Sequence, residues 1–178
     1  MKFLKWFLDT VVYIAVVILL TFLMVKFVAQ RTEVFGTSMV PTLESGDQLI
    51  ADKLTYHFRD PRRFEIVIFP FEYEEETYFI KRVIGLPGET VRIDFQGNIY
   101  IDGKLLEEDY GYEVMESPGI AAAEITLADD EYFVLGDNRN VSKDSRSADV
   151  GPISRDVILG RAFLRIYPFS KFSVMLNR

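Results

Sequence analysis

A serine held between two backbone constraints and a lysine inside an apolar run are the residues best suited to chemistry. Ser38 lies in Phe35-Gly36-Thr37-Ser38-Met39-Val40-Pro41-Thr42-Leu43. Gly36 lets the backbone approach another group closely or take a positive φ. Pro41 fixes its own φ and biases Val40 toward an extended conformation. A hydroxyl between such constraints points in one direction. Taken alone, the stretch also reads as a Gly/Ser/Pro turn after a linker.

The lysine sits in Tyr78-Phe79-Ile80-Lys81-Arg82-Val83-Ile84, closed by Gly85-Leu86-Pro87-Gly88. Side chains alternate along a strand, so Phe79, Lys81 and Val83 share one face and Ile80, Arg82 and Ile84 the other. Whichever face is buried takes a cation with it. Arginine cannot shed its charge, but lysine can. Burial weakens a lysine's hold on its proton, by as much as ~3–5 pH units, which predicts that much of Lys81 is neutral near pH 7. A neutral amine beside a serine hydroxyl is a general base. The alternative is that Lys81 and Arg82 are edge charges that discourage strand aggregation.

Composition narrows the setting. A net charge of −7 over 178 residues argues against nucleic acid as a partner, because phosphate binding needs a basic face. With no cysteine there is neither a disulfide framework nor a thiolate metal site. The single histidine, His57, excludes a multi-histidine metal site and reads as a loop residue.

The elements that must position the pair begin with a membrane anchor. Trp6 to Ala29 reads as one apolar helix, uncharged from Thr10 to Val25, with Lys26 snorkelling toward the headgroups. Its length and the lack of a small-x-small cleavage site favour an uncleaved anchor over a signal peptide. Lys2 and Lys5 lean toward a cytoplasmic N-terminus. Only about nine residues separate Ala29 from Ser38, a reach of about 30 Å, so Ser38 must lie near the lipid.

Beyond the anchor, short β-type runs dominate. Gly46 to Leu54 is a turn and a strand, Thr55 to Arg63 a polar loop, and Phe64 to Phe69 a strand ended by Pro70. Glu72 to Thr77 is an acidic connection. Val91-Arg92-Ile93-Asp94-Phe95 and Ile99-Tyr100-Ile101 form a hairpin, and Asp102-Gly103 makes a second turn. Tyr132 to Leu135 leads into the loop Gly136 to Arg146, dense in turn formers and paired charges. Val157 to Ile166 is a last strand, followed by the aromatic, basic Tyr167 to Phe172, suited to a membrane interface. The expected fold is mainly β: an N-terminal transmembrane helix (1–30), an antiparallel β catalytic core in two parts (31–90 and 128–178), and a small β insertion (91–127).

Four stretches in fixed order resemble the type I signal peptidases, in their compact Gram-positive branch. They are Gly36 to Leu43, Gly46-Asp47 with its strand, Lys81 to Gly88, and Gly136-Asp137-Asn138-Arg139 through Ser142-Lys143-Asp144-Ser145-Arg146. The resemblance implies a membrane-anchored serine endopeptidase that cleaves secretory preproteins after small-x-small sequences. It implies a single-pass protein with its catalytic domain on the extracytoplasmic side of the cell membrane, and no metal or cofactor. Ser38 falls on the nucleophile and Lys81 on the general base. Ser142 falls on the hydroxyl that orients the lysine, and Asp144 and Arg146 on a supporting ion pair. Met39 lies close to the site. Gly36 stands where Gram-negative members carry a second oxyanion donor, which leaves the Ser38 backbone N–H. Glu89 replaces a usual aspartate. Two rival classes are a soluble Ser-Lys self-cleaving repressor and a non-enzymatic anchored β module.

Overall fold

The computed structural model describes residues 2–71 and 78–175. Helix α1 (Lys2–Phe27) is followed, after Val28 alone, by strand β1 (Ala29–Glu33). The helix is long and apolar enough to cross a membrane, and its described side chains are not packed into a protein core. The hydroxyls of Thr10 and Thr21 donate to the Trp6 and Val17 carbonyls, each at 2.9 Å, which hides these polar groups within the helix. The helix begins and ends earlier than Trp6 to Ala29. Ala29 belongs to β1, where it pairs with Asp52, and Lys53 N donates to Val28 O at 3.0 Å.

The remaining strands are β2 (Gln48–Asp52), β3 (Ile66–Pro70), β4 (Tyr78–Gly85), β5 (Thr90–Ile93), β6 (Ile99–Ile101), β7 (Lys104–Leu105), β8 (Ile125–Thr126), β9 (Glu131–Leu135), β10 (Ile153–Ser154), β11 (Gly160–Tyr167) and β12 (Ser173–Val174). They form two antiparallel sheets. The larger runs β1-β2-β11-β3-β4-β9-β10, with β12 on β11; the smaller runs β7-β6-β5-β8. The fold is therefore mainly antiparallel β with one N-terminal apolar helix. The expected last strand starts later, because Arg155–Val157 forms a 3-10 turn capped by the Ser154 side chain. The acidic connection over 72–77 and the Lys26 side chain lie outside the described residues.

Apolar side chains from both faces of the larger sheet build its core. One cluster joins Met39, Leu43, Leu49, Ile66, Ile68 and Ile80; another joins Tyr56, Val67, Phe69, Val83, Tyr132 and Val134. The two clusters cover opposite faces of β3 and β4, which explains why these strands' sequences are nearly continuous apolar runs. The hairpin at β5–β6 is closed by Asp94, whose side chain accepts from the backbone of Gln96 and Asn98 at 2.9 Å each.

Candidate active site

Ser38 is presented by the connection between β1 and β2. Its base is closed by Val34 N donating to Asp47 O and Gly46 N to Val34 O, each at 2.9 Å. Above that base Met39 and Leu43 are buried as anchors, and Leu43 N donates to Met39 O at 2.8 Å. Ser38 thus sits on a turn pinned from below by packing. Gly36 adopts a φ of +85°, with open space where a side chain would project. Its use is the left-handed backbone and not a close approach.

Lys81 comes from the middle of β4 and is 3 % exposed. Its Nζ donates to Ser38 Oγ at 2.8 Å and to Ile80 O at 2.9 Å. The amine also lies over the Phe79 ring, 4.7 Å from its centroid. No carboxylate forms an ion pair with it among the described residues. Burial lowers its pKa to about 8, against a smaller upward pull from the Asp144 and Asp137 carboxylates. The direction and its cause, burial, are those expected from the sequence. With a pKa of about 8, roughly one amine in ten is neutral at pH 7. The two acidic neighbours keep the proton on more than burial alone would.

The third part is the loop after β9. Asn138 N donates to Ser38 O at 3.0 Å, and Asn138 Nδ2 to Thr37 O at 3.2 Å, which ties this loop to the serine turn. Gly136 makes the approach possible. A Cβ there would fall 2.2 Å from Ser142 Oγ and 2.5 Å from Ser38 O, so no side chain fits. Asp144 holds Gly136 in place, accepting from its N–H at 3.0 Å. Arg146 grips the same carboxylate with two N–H groups, at 2.8 and 2.9 Å, and also donates to the Arg139 and Ser117 carbonyls. The pair is buried and staples the loop to itself.

The structure therefore brings Ser38, Lys81, Met39, Ser142, Asp144 and Arg146 to one place. Ser142 differs from its expected bonding: its Oγ is buried without a hydrogen-bond partner, and Lys81 Nζ reaches Ser38 and Ile80 instead. The Ser38 N–H donates to nothing among the described residues. Sequence reasoning missed Asn138 and Gly136 as supports of the serine, and it left the Arg82–Asp137 pair unassigned. Arg82 Nε and Nη2 donate to the Asp137 carboxylate at 2.8 and 2.6 Å, and Thr42 Oγ1 donates to the same group. Glu89 pairs with Arg63 and accepts from Leu86 N at 2.8 Å, closing the turn after β4.

Beside the pair opens a cleft of about 610 Å3. Its walls include the edge strand β1, the Gly36–Met39 turn, the Tyr78–Lys81 part of β4, Val141 and Lys143, with Ile68, Ile80 and Met39 as an apolar floor.

A family model described as signal peptidase, peptidase S26, matches residues 6–167. The chain belongs to that family. It is 42% identical over 156 residues to a probable signal peptidase I-2 of Synechocystis, covering 85% of this chain and 69% of that one. It is 30% identical over 188 residues to signal peptidase IB of Staphylococcus aureus, covering 97% and 96% of the two chains. A solved signal peptidase I from Enterococcus faecalis is 34% identical, with a TM-score of 0.47, covering 58% of this chain and 97% of that one. Membership makes the chain a serine endopeptidase that acts on secretory preproteins to remove signal peptides. The repressor and scaffold readings fall with it.

Proposed function

We propose that this peptidase works through a Ser38–Lys81 dyad in a chain anchored by α1, with the cleft held at the lipid surface. One observation carries the reading: the amine of Lys81, kept out of water, lies 2.8 Å from the Ser38 hydroxyl. In the neutral form of the amine the same contact reverses, and Ser38 Oγ–H donates to Nζ. Oγ then attacks the substrate carbonyl carbon while its proton passes to Nζ. The carbonyl oxygen becomes an oxyanion, stabilised by the unengaged Ser38 N–H. A donor of this kind is typically worth ~10²–10³ in rate. As the C–N bond breaks, the Lys81 ammonium returns the proton to the leaving amine. Water, deprotonated by the same amine, then hydrolyses the acyl-enzyme and frees Ser38.

A neutral amine with its lone pair on Ser38 has two N–H groups to satisfy, and Ile80 O takes one. The buried, partnerless Ser142 hydroxyl is an acceptor suited to the other. Asp144 and Arg146 fix the loop that carries it. The substrate fits as an extended strand. β1 is paired on one side only, and Tyr78 to Lys81 pair with β3 but not with β9. A preprotein segment laid between these two open edges satisfies both. Its alternate side chains meet the Met39–Ile80 floor, which favours small residues.

Since β1 follows α1 with Val28 alone between them, the cleft cannot lie far from the end of the helix. We place the catalytic core (31–90 and 128–178), with its 91–127 insertion, on the extracytoplasmic side. Cleavage of a synthetic preprotein by the full chain in detergent, lost in Ser38→Ala, is the expected result. Retained cleavage in Ser38→Ala removes the dyad.

A further inference from the structure

The 91–127 insertion lines no part of the cleft among the described residues, yet one of its segments grips the loop that carries Ser142. Between β7 and the 3-10 turn Gly119–Ala122 the chain is irregular, so its backbone groups need partners from outside. The 136–146 loop supplies them. Tyr112 N donates to Asp137 O and Ile120 N to Arg146 O, each at 2.9 Å. Asn140 Oδ1 accepts from Glu116 N at 2.9 Å, and its Nδ2 donates to Val114 O at 3.0 Å. At Gly119, with a φ of +58°, the two segments lie so close that a Cβ would collide with Arg146 O. The innermost link is an ion pair. Glu108 meets Arg139 Nη1 at 2.7 Å, with side chains only 9 % and 3 % exposed. Arg139 Nε in turn donates to Gly136 O at 3.0 Å. Gly136 is the residue packed directly against Ser38 O and Ser142 Oγ. A carboxylate of the insertion thus reaches both serines through one guanidinium and one peptide group.

We propose that the 108–120 segment is a strap on the catalytic loop, and that Glu108, acting through Arg139, is a positioning residue for Ser38 and Ser142. This rests on the Ser38–Lys81 reading above, in which Ser142 accepts from the neutral amine. The loop has an inner clamp of its own: Asp144, held by Arg146, fixes the Gly136 N–H. That clamp leaves the other side of the residue, its carbonyl, to Arg139. A guanidinium is planar, so fixing Nη1 on a carboxylate also fixes the direction of Nε–H. Without Glu108 the buried charge of Arg139 loses its counter-ion and turns toward water, and Gly136 O is released. The serine turn and the Ser142 hydroxyl then separate at the one point where they are packed together. A misplacement of about 1 Å in a reacting group costs on the order of 10²-fold in rate. The strap therefore acts on the chemical step while standing clear of the substrate.

Steady-state cleavage of a synthetic preprotein by the full-length protein in detergent tests this. Glu108→Ala lowers kcat by about 10- to 10²-fold and leaves KM unchanged, because the cleft is untouched. In an Arg139→Met chain the relay is already broken, so adding Glu108→Ala lowers kcat no further. Asn140 is exposed, and Asn140→Ala removes an outer latch of the strap with the buried pair intact. It lowers kcat by a smaller factor, again at constant KM, and carries the test if Glu108→Ala does not fold. Ile101→Ala is the control for stability alone. Ile101 is buried in the core of the smaller sheet, on a strand paired with β5 and β7. Its loss lowers the melting temperature and leaves the kcat of the folded protein unchanged. A wild-type kcat in Asn140→Ala or in folded Glu108→Ala overturns the proposal. So does an equal loss of kcat in Ile101→Ala, or losses that multiply in the Arg139→Met, Glu108→Ala double variant. Failure of the dyad is read separately, from activity persisting in Ser38→Ala.

Discussion

Lys81 and Arg82 are neighbours on β4, each 3 % exposed, and the fold treats their charges in opposite ways. Arg82 meets Asp137 through two N–H groups, donates to Phe64 O at 2.9 Å and lies over the Tyr110 ring at 3.7 Å. Every part of its charge is answered. Lys81 has one hydroxyl, one carbonyl and one ring face, with no counter-ion in contact. An arginine keeps its proton in any site, so burying it requires a partner. A lysine can give the proton up, so burying it without a partner makes a base. One strand thus carries a structural cation on one face and, on the proposed mechanism, the base on the other.

The largest effect comes from erasing the difference. Lys81→Arg places a permanent charge against Ser38, and guanidinium accepts no proton at any pH the fold survives. Cleavage should fall by at least ~10⁴-fold, as for loss of a member of a catalytic unit. Turnover of a synthetic preprotein checks this, and substantial activity in that variant ends the comparison. The structural member is tested by Asp137→Asn. This leaves the Arg82 charge buried and unanswered, at a cost of about 3–5 kcal/mol. Because Thr42 also donates to Asp137, the serine turn loosens and activity falls with stability. Thermal unfolding read beside turnover separates the two losses.

How far this contrast could be read in advance depends on the strand. The alternation of Phe79 to Ile84 showed that one cation had to be buried, but assumed that only one face was. Apolar clusters cover both faces of β4, and which distant segments supply them is not written in a local run. β1 was not expected as a strand, for a related reason. Gln30, Arg31, Thr32 and Glu33 show no apolar alternation, because an edge strand beside an open cleft buries neither face fully. Ser38 was legible from Gly36 and Pro41. The support from Gly136 and Asn138 was not, because it depends on a contact across a hundred residues of chain. The 136–146 loop was legible as dense in paired charges, and the resemblance named Asp144 with Arg146, which do pair; the Asp137–Arg82 and Arg139–Glu108 pairs were not legible, because each partner comes from a distant part of the chain.

The smallest effect is the most diagnostic of a base held against its own stability. In the folded chain Lys81 has a pKa of about 8, below the ordinary 10.5. The unfolded chain therefore binds the proton more tightly. Between these two values the unfolded state carries more protons than the folded one, so stability rises with pH across that window. Below pH 8 both states are protonated and the penalty is fully present. Lys81→Met keeps the bulk, removes the amine and cannot titrate. At pH 7 it should be more stable than the wild type by about 1–3 kcal/mol, while its activity is lost. The gain should shrink as pH rises from 8 toward 10.5, because the wild type sheds its penalty there. Melting curves of both proteins in the same detergent at pH 7 and pH 10 measure the difference directly. A Lys81→Met chain less stable than the wild type at pH 7 would mean that the amine contributes to the fold as Arg82 does, and the two faces of β4 would then differ only in name.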